Sequence, residues 1–188
     1  EDWVLRIRPT AHKPARVMLL LHGFTGDENS MWVFARDMPS DYWMVAPRAP
    51  HFTEPSGFSW RPHLPGTFGR PSLEQLRPSA EALIHLVDAY SASAGIEAKS
   101  FDVTGFSQGA AMSNLLAFLH PQRIRKTGIL AGFVPSGLEE LVPQRPLLGK
   151  PFFVTHGTKD EMVTIDRARA SIALLEQAGA QVTYCEDE

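Results

Sequence analysis

Residues 105–109 read Gly-Phe-Ser-Gln-Gly, and their setting constrains the fold more than any other stretch of the chain. The residues before them, Phe101-Asp102-Val103-Thr104, carry the aromatic and β-branched side chains of a strand. The residues after them, Ala110-Ala111-Met112-Ser113, open a helix of small side chains. A strand that becomes a helix across one residue holds that residue in a strained backbone conformation. Glycines on either side let strand and helix pack closely. The Ser107 hydroxyl is then presented at the carboxyl edge of a sheet, near a helix N-terminus. Strand–turn–helix units of this kind build parallel sheets with right-handed crossovers.

The rest of the chain fits that plan. Trp3–Ile7 alternates and reads as an edge strand, whereas Val17–Leu21 is apolar throughout, as a strand covered on both faces would be. Further strands are expected at Trp43–Ala46, Thr127–Ala131, Phe152–Thr155 and Gln181–Cys185. Ser72 and Gln75 form a capping box that starts a helix running to about Ala92. Ser107–Leu119 is a second helix, stopped by His120-Pro121. Thr164–Ala178 is a third, with Gly179 placed for a left-handed C-terminal cap. Residues 28–38 suggest a short extra helix, and the Arg123–Lys126 run reads as a solvated turn. Strands alternating with helices imply one α/β domain over residues 1–188, with a mostly parallel central sheet flanked by helices. Two long Pro- and Gly-containing loops, 47–71 and 135–151, are candidate cap or lid elements.

Composition narrows the class. With 188 residues, 44% hydrophobic and 21% charged, the chain is globular. A chain of this size buries roughly 70% of the surface it exposes when unfolded. One cysteine, Cys185, excludes an intramolecular disulfide and any multi-cysteine metal site. A net charge of −3 with scattered basic residues argues against nucleic-acid binding. No apolar run approaches the roughly 18 residues of a membrane span. No metal or cofactor motif stands out. A reducing, cytoplasmic location is the expectation, and a homodimer is left open. No signal peptide is visible, although a chain starting at Glu1 leaves a preceding targeting segment open.

Three motifs carry chemistry. Ser107 is the candidate nucleophile. Leu21-His22-Gly23-Phe24-Thr25-Gly26 follows the most apolar strand, and a glycine-rich loop there can aim N–H groups at a developing oxyanion. The donors chosen are the N–H groups of Phe24 and of Gln108, the residue after the nucleophile. His22 fits a loop-ordering role better than proton transfer. Thr155-His156-Gly157-Thr158-Lys159-Asp160 follows a late strand, where a carboxylate that orients a histidine belongs; Asp160 is the candidate, with His156 structural. Trp60 in the long aromatic loop, near Phe52, Phe58 and Phe68, is a candidate substrate-binding residue.

In this order, the motifs resemble the α/β-hydrolase fold. More narrowly, the chain is similar to the phospholipase/carboxylesterase family, also called acyl-protein-thioesterase-like. The likeness rests on Leu-His-Gly at 21–23, Ala-Pro-Arg-Ala-Pro-His at 46–51 and Gly-Phe-Ser-Trp at 57–60. It rests also on Gly-Phe-Ser-Gln-Gly-Ala at 105–110 and His-Gly-Thr-Lys-Asp at 156–160. The resemblance implies cofactor-free hydrolysis of a small-molecule acyl ester, with Ser107 as nucleophile and Asp160 as triad acid. It implies equally an acyl-thioesterase or a lysophospholipase. The family places its triad histidine after the last strand. All seven histidines of this chain precede Asp160, so the histidine is expected beyond Glu188, in a C-terminal part that is apparently truncated. The rival expectation is a hydrolase-fold binding protein without catalysis.

Overall fold

The computed structural model describes residues 2–63 and 71–187. In chain order the elements are β1 (Leu5–Arg8), β2 (Arg16–Leu21), α1 (Trp32–Ala35), β3 (Tyr42–Pro47), β4 (His51–Phe52), β5 (Phe58–Ser59), α2 (Leu73–Ala94) and β6 (Phe101–Phe106). There follow α3 (Gln108–Leu119), β7 (Ile124–Leu130), a 3₁₀ helix (Glu139–Gln144), β8 (Pro151–Gly157), α4 (Ile165–Gln177) and β9 (Gln181–Asp187).

Seven strands form one sheet in the order β1-β3-β2-β6-β7-β8-β9. Only β1 runs antiparallel to its neighbour, so the sheet is mostly parallel, as expected. Strand β2 shows why its sequence is apolar throughout. Val17, Leu19 and Leu21 join one buried cluster with residues of α2 and α3, while Met18 and Leu20 join another with Met31, Met44 and Ala46. The period of two sends alternate side chains to opposite faces, and both faces are covered.

The register aligns the carboxyl ends. Leu21 pairs with Gly105, Phe106 with Leu130 and Gly157 with Asp187, so the loops after β2, β6, β7 and β8 and the end of β9 lie along one edge. Helix α2 starts at the Ser72–Gln75 capping box and ends on Gly95 at φ 65°. Gly179, beyond α4, sits at φ 97°.

Some expectations change. Residues 28–38 hold only the four-residue α1, whose Val33 and Phe34 stay exposed. Of the Arg123–Lys126 run, Arg123 closes a turn as expected, but Ile124–Lys126 open β7. Buried Asp102 on β6 is the reason: Arg125 donates to its two carboxylate oxygens at 2.8 and 2.9 Å, and Tyr42 donates to it at 2.6 Å. A carboxylate 1% exposed needs such partners. Burial and the neighbouring carboxylate push the Tyr42 hydroxyl up to about 12. Of the loop 47–71, residues 64–70, with the candidate Phe68, lie outside the described residues. Its described part folds back as the β4–β5 hairpin. In 135–151 the 3₁₀ helix packs against α4. Among the described residues no helix is long and apolar enough to cross a membrane.

Candidate active site

The turn between β6 and α3 is tight because two glycines make it so. A Cβ on Gly105 would sit 2.1 Å from the carbonyl oxygen of Gly109, and one on Gly109 would sit 2.1 Å from that of Leu21. Backbone therefore lies directly on backbone where β2, β6 and α3 meet. Ser107, between them, has φ 52° and ψ −112°. Its N–H donates to Leu130 on β7 at 2.9 Å, which pins the turn to the next strand. Its side chain makes no capping bond to α3, so the hydroxyl is not spent on the helix it precedes. Gln108 opens α3, and its N–H is one of the donors that a helix start leaves without an intrahelical acceptor.

The loop after β2 is built around His22, which is 1% exposed. Its Nε2 accepts the Ala49 N–H at 3.0 Å, so the proton lies on Nδ1, which donates to the Gly23 carbonyl at 2.7 Å. Burial pushes its pKa below the usual histidine value. Both nitrogens serve the loop, in agreement with an ordering role. The β4–β5 hairpin clamps the same loop: Thr25 donates to Phe58 at 3.0 Å, and Phe58 donates to Gly26 at 2.9 Å.

Trp60 does not line the cleft. It is fully buried, and its indole N–H donates to the His22 carbonyl at 2.8 Å. The ring fixes the loop from beneath. The Gln108 side chain has a role the sequence did not reveal: its oxygen accepts the Trp60 N–H at 3.0 Å and its nitrogen donates to Ser59 at 3.1 Å. The residue after Ser107 thus ties the long loop to α3.

Beyond β8, one oxygen of Asp160 accepts the N–H groups of Met162 and Val163 at 2.8 and 2.9 Å. Its other oxygen lies 3.7 Å from His156 Nε2. His156 is buried and donates from that nitrogen to the Val163 carbonyl at 2.6 Å. The end of β9 runs alongside: Thr158 donates to the Asp187 carbonyl at 2.7 Å.

These loops line a small cleft, partly open to solvent. Phe24, Ser107, Gln108, Phe133 and Val163 contribute to its wall, one or two from each strand end. The structure therefore brings Ser107, Gln108 and Phe24 together. Asp160 is not among the lining residues but lies two residues before Met162, which is. Arg61 and His63 also line the cleft. Arg61 carried no sequence signal. Among the described residues no group of three or more His, Cys, Asp or Glu is placed to hold a metal.

A model of the phospholipase/carboxylesterase family matches residues 4–186. The chain belongs to this family. Among its relatives, "Carboxylesterase SOBER1" of Arabidopsis thaliana is 28% identical over 125 residues, 65% of this chain and 54% of its own length. This chain thus spans about half of that relative. "Acyl-protein thioesterase 1" of Debaryomyces hansenii is 27% identical over 198 residues, covering 93% of this chain and 82% of that protein. Among solved structures, the Bacillus cereus carboxylesterase superposes with a TM-score of 0.82 at 21% identity, covering all of this chain and 85% of its own. At that identity the likeness establishes the α/β-hydrolase fold of the family and nothing finer.

Proposed function

We propose that the protein is a serine carboxylesterase acting on small acyl esters. Ser107 attacks the ester carbonyl, and the N–H groups of Phe24 and Gln108 receive the oxyanion. A histidine following β9 takes the serine proton and returns it to the leaving alcohol; Asp160 orients that histidine. Water then releases the acid from the acyl-enzyme. The observation that carries this is Ser107 itself: a non-glycine residue at φ 52°, with its side chain unused by the helix, in the wall of a cleft shared with both chosen donors. Strain of this kind persists where the surrounding structure enforces it, and it clusters at sites of chemistry. The pairing of β8 with β9 supports the placing of the base, because Gly157 and Asp187 lie side by side at the exit of both strands. A thioester substrate is the second reading, favoured by the name of the Debaryomyces relative.

The test uses a full-length form assayed on short-chain nitrophenyl esters and on an acyl thioester. Ser107→Ala should lower kcat by on the order of 10⁶ with an unchanged circular dichroism spectrum. Asp160→Asn keeps an oxygen for the Met162 and Val163 N–H groups and should lower kcat about 10⁴-fold. Glu161→Gln should cost little. More than a tenth of the wild-type rate in Ser107→Ala would remove the nucleophile assignment.

A further inference from the structure

Arg61 is 5% exposed, yet it lines the cleft with Ser107 and Gln108. Among the described lining residues there is no lysine, aspartate or glutamate, and Phe24, Phe133 and Val163 make much of the wall apolar. Its backbone is also fixed relative to the nucleophile, through the Arg61 main-chain N–H. Gln108, the neighbour of Ser107, holds the N–H of Trp60 and the hydroxyl of Ser59, and that hydroxyl in turn accepts the Arg61 N–H at 3.3 Å. Trp60 beside it is anchored to His22. The backbone that carries the arginine therefore belongs to the same framework as the turn that carries the serine.

We propose that Arg61 is a specificity-determining residue that receives an anionic group of the substrate, so that the preferred esters carry a carboxylate besides the scissile bond. The proposal rests on the esterase reading above and names its substrate class. A guanidinium stays protonated and offers a planar fork that matches a carboxylate. In a cleft walled by aromatic and aliphatic side chains, that pairing is stronger than it would be in water. Burial lowers the pKa of Arg61 from the usual arginine value, an effect that an entering anion would oppose.

The experiment compares full-length wild type, Arg61→Lys and Arg61→Met on two ester pairs. Monomethyl glutarate against dimethyl glutarate places the anion on the acyl side. Acetoxybenzoate against methylphenyl acetate places it on the alcohol side. Wild type should prefer the anionic member of one pair in kcat/KM, and the pair that responds identifies the side. In Arg61→Met that preference should fall about ten- to a hundredfold, the range expected for one charge-assisted contact; Arg61→Lys should keep part of it. An equal loss on both members of each pair would mean a structural role, and a wild type indifferent to charge in both pairs would also overturn the proposal. If wild type hydrolyses no ester at all, the esterase reading fails instead. Glutarate binding, followed by thermal shift in wild type and Arg61→Met, then decides the Arg61 claim by itself: protection that requires Arg61 supports it, and protection absent or independent of Arg61 overturns it.

Discussion

Ser107 is held at φ 52° and ψ −112° by its neighbours and not by its own preference. Gly105 and Gly109 let three backbones meet, and the bond to Leu130 ties the serine N–H to β7. A non-glycine residue in such a region costs about 1–3 kcal/mol. Stability and activity should therefore separate at this position. Ser107→Gly removes the strain but adds about 0.5–1 kcal/mol of chain entropy to lose on folding. The net expectation is a gain of about 1 kcal/mol in urea unfolding, together with loss of esterase activity. Ser107→Ala, which keeps a Cβ and the strain, should unfold at the same urea concentration as wild type. A glycine variant less stable than the alanine variant by about 0.5–1 kcal/mol, the entropy cost alone, would show that the turn stores no strain.

At the scale of elements, the loop after β2 depends on a neutral imidazole. His22 accepts from Ala49 and donates to Gly23, and burial lowers its pKa. A histidine with a depressed folded pKa binds fewer protons folded than unfolded between that value and about 6.5. Its contribution is thus fully present above pH 6.5 and is lost as pH falls toward the folded pKa. Melting temperatures measured from pH 7.5 down to 5.5 should fall in wild type and fall less steeply in His22→Gln, whose side chain does not titrate. Parallel curves would place the proton elsewhere. The loop-ordering role of His22 was legible in the sequence because a histidine before glycine at a strand end has few other uses. The strands and the α2 cap were legible because period and capping chemistry are local. Features that depend on distant residues were not. Arg125 belongs to β7 because of a carboxylate one strand away, and Trp60 is buried because His22, 38 residues earlier, offers its carbonyl. Such pairings arise from the register of the sheet, which local pattern does not encode.

At the scale of the whole molecule, the open question is where the base comes from. The proposed nucleophile, donors and acid follow β2, β6 and β8, and all seven histidines precede Asp160. His22 is buried with both ring nitrogens hydrogen-bonded, to Gly23 and Ala49, and His156 is buried with its Nε2 bonded to the Val163 carbonyl. The strand nearest the Asp160 loop is β9, whose last paired residue, Asp187, accepts from Thr158. A residue shortly after β9 would reach that loop by the shortest path. Residues 1–188 alone should therefore fold and yet hydrolyse esters poorly, because without an imidazole the serine hydroxyl stays protonated at neutral pH. The residual rate should be roughly 10³–10⁴ over water, from the oxyanion donors and binding. A longer form carrying a histidine after β9 should be fully active, with kcat/KM rising with pH as that histidine deprotonates. Both forms should be assayed at equal concentration across a dilution series. Full activity of 1–188 at every dilution would point instead to His63, the histidine that lines the cleft among the described residues, and His63→Gln would then abolish it. Activity that disappears on dilution would mean that a second copy of the chain donates the imidazole.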